Sequence, residues 1–171
     1  IQYGSLFTNK LFELGKELKK RAPSESPFDP PWTTIQAGKI EGGVTHNVIA
    51  GKCTIDWEMR PVNKYDMDFV KKNLSTYCEK NLLPEMQSKF SNAKIETDIV
   101  GEIPGLIPKK ENEARVIMQE LLKSNSTGVI SFGTEAGIFQ EMEMDVVVCG
   151  PGSIDQAHKA NEFISLSQLD T

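Results

Sequence analysis

The amino-acid sequence predicts a mixed α/β fold, an α+β domain followed by a shorter α/β segment. Residues 52–60 alternate apolar and polar side chains, as in a strand with one covered and one exposed face. Residues 4–21 and 69–82 carry apolar side chains at helical spacing. Residues 146–149 are all apolar, which is typical of a strand in the middle of a parallel sheet.

The first part of the chain is predicted to contain five elements. They are a helix at about 4–21, strands at 32–40 and 52–60, a helix capped by Asn63 or Asp66 that ends near Pro84, and a strand at 94–100. This is the order of a ferredoxin-like, split βαβ unit without its first strand, which we expect upstream of Ile1. A start without methionine and a helical pattern beginning at 165–171 also favour a piece of a longer protein.

The second part of the chain is predicted to begin after a Pro/Gly-rich junction at 101–110. A helix at 111–123, a strand at 129–132, a turn into a short helix at 133–137 and the strand at 146–149 follow. Such a segment is too short to close a core of its own. We therefore predict two domains, residues 1–103 and residues 104–171.

Composition excludes several functions. The net charge of −5 and the pI near 5.2 argue against a nucleic-acid partner, and no apolar run reaches the ~18 residues that span a membrane. The start of the chain does not resemble a secretory signal. The three cysteines form no CxxC pair and lie in apolar patterns, which predicts buried free thiols and a cytoplasmic location: Cys53, Cys78 and Cys149.

One histidine is the strongest candidate for a metal ligand. His158 follows the apolar strand and a Gly-Pro-Gly loop, and Asp155 or a backbone carbonyl could orient its ring. The alternative is a loop histidine in solvent. A catalytic zinc needs about three protein ligands, and neither HxD nor HExxH spacing occurs in the sequence.

Four further side chains are candidates for substrate binding. Thr134 and Glu135 follow a predicted strand and open a helix, where an anion or a cationic group can bind, although Glu135 could simply complement the helix dipole. Asn47 suits carboxylate or amide recognition, or it is a turn asparagine. Arg60 could clamp a carboxylate or pair with Glu58 or Asp56.

These motifs together resemble the zinc aminoacylase and desuccinylase family of metallopeptidases. Residues 133–140 and 149–159 look like the C-terminal part of its catalytic domain. Residues 42–49 and 57–61 look like its lid or dimerisation domain. The resemblance covers nearly the whole chain in the right order, and it implies a ferredoxin-like lid followed by the end of a zinc-peptidase-like α/β domain.

The resemblance also implies a role for each candidate residue. His158 matches the last ligand of a two-zinc site, in which cobalt is the alternative metal. Asn47 and Arg60 match lid residues that contact substrate, in some members across a dimer. The substrate pocket would include Thr134, Glu135 and Gly152. The catalytic residues and the other metal ligands would lie outside this chain.

The activity implied is metal-dependent hydrolysis of N-acetyl-L-ornithine to ornithine and acetate, a step of arginine biosynthesis. The full-length protein would be a cytoplasmic homodimer joined through the lid, and the present piece alone would be inactive. Two alternatives stay open. One is a related amidohydrolase that acts on another N-acyl amino acid or a dipeptide, and the other is a non-catalytic dimerisation module.

Overall fold

Helices and a small antiparallel sheet form the regular structure of the described residues, which confirms the predicted mixed α/β class. The computed structural model describes residues 1–130, 133–157 and 159–169. None of the helices in these ranges is long and apolar enough to cross a membrane. The elements in chain order are α1 Gln2–Lys20, β1 Thr34–Gly42, β2 Cys53–Arg60, α2 Lys64–Tyr77, a π turn Cys78–Leu82, α3 Leu83–Lys89, α4 Glu113–Leu122, α5 Ala136–Glu141, a 3-10 turn Ile154–Gln156 and α6 Leu166–Leu169.

The two strands pair as a hairpin whose two faces differ. Ile35 lies opposite Met59 and Ala37 opposite Trp57, and a register shift at Gly38 bends the first strand. Along β2, half-buried residues alternate with exposed ones from one end to the other. The predicted alternation is therefore confirmed, and one face of the hairpin is covered.

The covered face of the hairpin packs against α1 and α2. The fully buried residues of this core come from the two helices, and half-buried residues of both strands complete it. The helical members share the apolar spacing that predicts an amphipathic helix. They are Leu11, Leu14 and Leu18 of α1 and Val70 and Leu74 of α2.

A glycine allows α1 to approach the second strand closely. A Cβ atom built on Gly4 would lie 2.5 Å from the Sγ atom of Cys53, which is closer than atoms can approach. Gly4 is itself buried. The start of α1 therefore requires the absence of a side chain at this position.

A buried carboxylate joins the end of α1, the start of β1 and the start of α2. Asp66 is 2% exposed and accepts hydrogen bonds from the Thr33 hydroxyl (2.5 Å), the Asn63 amide (3.0 Å) and Arg21 Nε (3.1 Å). Asn63 Oδ1 accepts from the backbone N–H of Asp66, so Asn63 is the N-cap of α2. Thr33 in turn accepts from the backbone N–H of Val62. The network is fully satisfied, as a buried polar cluster must be.

The second helix continues beyond its predicted end. Pro84 was expected to mark that end, but it lies in the first turn of α3, and the chain stays helical to Lys89. Proline, which has no backbone N–H, is well tolerated at the first positions of a helix. The π turn at Cys78–Leu82 joins α2 to α3 and absorbs the change in register.

The prediction of a strand at 94–100 is wrong. No strand is assigned there, and Ile99 is 67% exposed while Val100 is fully exposed. Alternating β-branched residues express only a local preference, and a strand also needs a partner edge. Of the five predicted elements of the ferredoxin-like order, the structure therefore contains helix, strand, strand and helix.

The chain divides into two compact units. One comprises Ile1–Gly105 with Gly128–Thr134, and the other comprises Leu106–Thr127 with Glu135–Thr171. In the second unit the predicted helix at 111–123 is confirmed as α4, capped by Asn112, which accepts from the N–H of Arg115 at 2.9 Å. The Gln140 amide makes two 2.8 Å hydrogen bonds with the backbone of Ile107, one in each direction.

Two other strands were predicted in the second part of the chain, and neither is assigned among the described residues. The strand at 146–149 is wrong, since no strand is assigned there and Val148 is 51% exposed. The strand predicted at 129–132 is not assigned at its first two positions, and 131 and 132 lie outside the described residues. All three cysteines are free, as predicted, but Cys149 is exposed rather than buried because its stretch lacks neighbouring strands.

Asp145 accepts a hydrogen bond from Glu113, the first residue of α4, and we expect this contact to make the stability of the fold depend on pH. The backbone N–H of Glu113 (2.8 Å) and the Lys109 ammonium (3.1 Å) hold the pKa of Asp145 below its usual value of 3.8. A lowered folded-state pKa stabilises the fold at higher pH, and this contribution disappears as pH falls through the lowered pKa. Asp145→Asn should therefore lower the melting temperature at about pH 6 and have a vanishing effect towards about pH 2. Thermal unfolding across this range checks the prediction.

The matched control for this measurement is Asp155→Asn. It removes the same charge from an exposed position in the same unit. A pH-independent difference between Asp145→Asn and the parent chain, or an equal response of both variants, would contradict the assignment.

Candidate functional site

The loop that carries Asn47 is exposed except at the half-buried Ala50. Residues 43–52 connect the two strands, and a left-handed Gly43 (φ 77°) begins the loop. Within it, the Val48 N–H bonds weakly to the Thr45 carbonyl at 3.4 Å, and Ile49 is 96% exposed. Within the described ranges no hydrogen bond involves the Asn47 side chain. The Asn47 side chain is therefore exposed to solvent.

Arg60 ends the second strand on its exposed face. Its Nε and Nη2 atoms lie 3.3 and 3.2 Å from Glu58 Oε1, which also accepts from the Gln36 amide at 2.8 Å. The guanidinium side chain remains 59% exposed. The salt bridge to Glu58 that the sequence offered as an alternative is therefore present, and it orients Arg60 on the sheet surface.

Asn47 and Arg60 lie at opposite ends of the hairpin. Arg60 is paired with Thr34, the first residue of the first strand, whereas Asn47 belongs to the loop beyond the other end. An eight-residue strand is roughly 26 Å long. The structure of one chain therefore does not bring these two candidates together.

The turn that carries Thr134 and Glu135 leads directly into a short helix. Glu135 is the N-cap residue of α5, but its side chain makes no capping hydrogen bond and is exposed. Its carbonyl accepts from the Ile138 N–H at 2.9 Å. Thr134 is half-buried, and Ala136 is 8% exposed. The predicted turn into a short helix is confirmed.

The loop after Cys149 carries Gly152, which the family resemblance assigns to the substrate pocket. Gly152 has φ 106°, a conformation that strongly favours glycine, and its carbonyl accepts a 3.4 Å bond from Gln168. Ser153 caps the 3-10 turn that follows, and Asp155 is exposed. His158 lies outside the described residues.

The described residues do not supply a metal site. No group of three His, Cys, Asp or Glu side chains that could hold an ion occurs in 1–130, 133–157 and 159–169. A catalytic zinc takes about three protein ligands. A metal bound with the help of His158 would therefore need further ligands from outside the described residues.

Sequence reasoning missed two arrangements that only folding creates. Gln36 and Glu58 lie on different strands and meet at Arg60 through the register of the hairpin. An open cavity between helices is lined by residues that the sequence did not single out, since no motif links α1 with α2. These are Lys10, Lys72, Asn73, Thr76, Tyr77 and Asn81.

The stretch that contains the first helices and the hairpin matches a known class of domain. Residues 5–86, which extend from α1 into α3 and include both strands, match the peptidase dimerisation domain, M20_dimer. The matched stretch therefore has the sequence of a peptidase dimerisation domain, and the chain fits a fragment of the M20 family.

Similar proteins with curated names extend the likeness over most of the chain. The chain is 30% identical over 149 residues to acetylornithine deacetylase of Myxococcus xanthus, which covers 87% of this chain and 38% of that protein. It is 30% identical over 143 residues to acetylornithine deacetylase of Vibrio atlanticus, covering 84% and 36%. The chain therefore spans little more than a third of the length of these relatives.

Proposed function

We propose that this chain is the dimerisation domain and an adjoining segment of a metal-dependent amidohydrolase that converts N-acetyl-L-ornithine to ornithine and acetate. The observation that carries the proposal is the match of residues 5–86 to the dimerisation domain. Two relatives named acetylornithine deacetylase, similar over 84–87% of the chain, support the substrate. The proposed domains are residues 1–103 and 104–171.

The positions of Asn47 and Arg60 support a homodimeric enzyme. Two groups at opposite ends of one hairpin cannot hold one small amino acid within a single chain. In a symmetric dimer the exposed 43–52 loop of one chain can approach a substrate that the other chain binds. We assign Asn47 to substrate contact across the dimer and Arg60 to the substrate carboxylate, with Glu58 holding its guanidinium in place.

The remaining candidates are assigned to the pocket that receives the rest of the substrate. The exposed Glu135 carboxylate suits the side-chain ammonium of ornithine, and Thr134 and Gly152 suit hydrogen bonds to the substrate. His158 is proposed as a zinc ligand, with cobalt as the alternative metal. The other ligands and the general base would come from outside this chain. The enzyme would act in the cytoplasm, in arginine biosynthesis.

Kinetics with the complete polypeptide test the proposed function. The chain is expressed with the sequence that adjoins it in its gene, loaded with zinc, and assayed on N-acetylornithine, N-succinyl-diaminopimelate and N-acetylmethionine. We expect the highest kcat/KM on N-acetylornithine and loss of activity with a chelator. The 171-residue chain, assayed in parallel, is expected to show no turnover.

The same preparation distinguishes the alternatives. A higher kcat/KM on another acylated amino acid or a dipeptide would replace the substrate but keep the class of enzyme. The other alternative is a non-catalytic dimerisation module. A homodimer by light scattering without turnover on any of the three compounds would establish that module instead, and a strict monomer would contradict the dimer.

A further inference from the structure

A polar groove lies between the first two helices of the dimerisation domain. Its volume is about 340 Å³, near the lower end of the ~300–1,000 Å³ typical of small-molecule sites. The lining contains two ammonium groups, two amides and two hydroxyls, and no carboxylate. We call the helix groove the cavity lined by Lys10, Lys72, Asn73, Thr76, Tyr77 and Asn81.

The helix groove is a locally positive site on an acidic chain. The whole sequence carries a net charge of −5, yet both charged residues of the lining are lysines. Lys72 is exposed, and no carboxylate of the described residues forms an ion pair with it. Lys10 is paired with Glu13 at 3.2 Å and lies 5.7 Å from the centre of the Tyr77 ring. Lys72 therefore keeps its charge available, whereas Lys10 shares its charge with Glu13.

The π turn contributes to the assembly of this groove. Asn73 and Tyr77 are one helical turn apart on α2, and Asn81 lies within the π turn that follows. A π turn is wider than an α turn, so it rotates later residues back around the helix axis relative to α-helical spacing. Asn81 thereby lines the same cavity as Asn73 and Tyr77. π turns of this kind are frequent at functional sites.

We propose that the helix groove binds a small phosphate-bearing anion. A phosphate monoester carries a charge of about −1.5 to −2 near neutral pH and has three acceptor oxygens. The Lys72 ammonium, and the Lys10 ammonium that it shares the groove with, attract that charge, although Lys10 must also remain close to Glu13. Lysine binds phosphate as a point charge. The amide of Asn81 and the hydroxyl of Thr76 can donate to the remaining oxygens. This site is independent of the proposed hydrolysis, because none of its residues belongs to the candidate active site.

The test titrates the 171-residue chain with inorganic phosphate at constant ionic strength, followed by ¹H–¹⁵N NMR. We expect saturable shifts centred on the side-chain amides of Asn73 and Asn81, with a Kd on the order of 1 mM. Lys72→Gln should weaken binding at least about fivefold, since one of the two cationic contacts is lost.

Matched controls decide the outcome. Lys71→Gln removes the same charge from the neighbouring residue, whose ammonium is held by Glu102 at 2.7 Å, and it should leave binding unchanged. Acetate at equal ionic strength should give no comparable shifts. The proposal is overturned if phosphate does not saturate, if both lysine variants respond equally, or if acetate reproduces the shifts.

Discussion

Replacing Asp66 with alanine is expected to lower the free energy of unfolding by about 3 kcal/mol. The carboxylate is 2% exposed and satisfies three side-chain donors, of which Thr33 is fully buried. Removal leaves the donors of Thr33 and Asn63 without an acceptor in a region that water hardly reaches. The partly exposed Arg21 can return to water, and this limits the loss. Urea unfolding at neutral pH measures the change.

Asp68→Ala is the matched control for this substitution. Asp68 lies on the same helix and carries the same charge, but it is exposed. A surface change of this kind should alter stability by no more than about 0.5 kcal/mol. Equal unfolding midpoints for Asp66→Ala and Asp68→Ala would show that the buried network contributes nothing, against expectation.

Leu11→Ala is the second substitution with a large expected effect. Leu11 is fully buried between the helices and the sheet, so truncation removes apolar contacts and leaves a cavity. Such changes cost about 2–5 kcal/mol, depending on how far the surroundings relax. The expected result is a lower unfolding midpoint by circular dichroism with unchanged helical content in the absence of denaturant.

The adjacent Phe12 provides the control for Leu11. Phe12 is also large and apolar, but it lies about 100° around the helix axis from Leu11. It is 54% exposed. Phe12→Ala should have a much smaller effect, because its ring loses little contact with the core. If Phe12→Ala were as destabilising as Leu11→Ala, the orientation of the first helix would have to be revised.

Local signals in the sequence were reliable where one face of an element is covered by its neighbours. The alternation at 52–60 predicted the second strand because Trp57 and Met59 pack on the helices while Glu58 and Arg60 face outward. Asn63 was one of two predicted caps of the second helix, and the structure selects it because Asp66 is turned into the buried network. In these places the local preference and the tertiary packing agree.

Local signals failed where a strand would have needed a partner. Residues 94–100 alternate correctly and residues 146–149 are wholly apolar, yet neither stretch forms a strand. Periodicity reports which side chains could share a face, but a strand exists only when its backbone groups bond to an adjacent strand. That partner is a property of the folded chain and is not encoded in the stretch itself.

The sequence by itself determined the positions of the main helices and of the hairpin, and it singled out the residues that could contact a substrate. Only the tertiary structure decided that Asn47 and Arg60 lie at opposite ends of that hairpin, and that Lys10 and Lys72 share a groove. The physical reason is that residue type and spacing set local conformation, whereas a site is defined by distances between side chains far apart in sequence. Those distances arise only when the helices pack on the sheet.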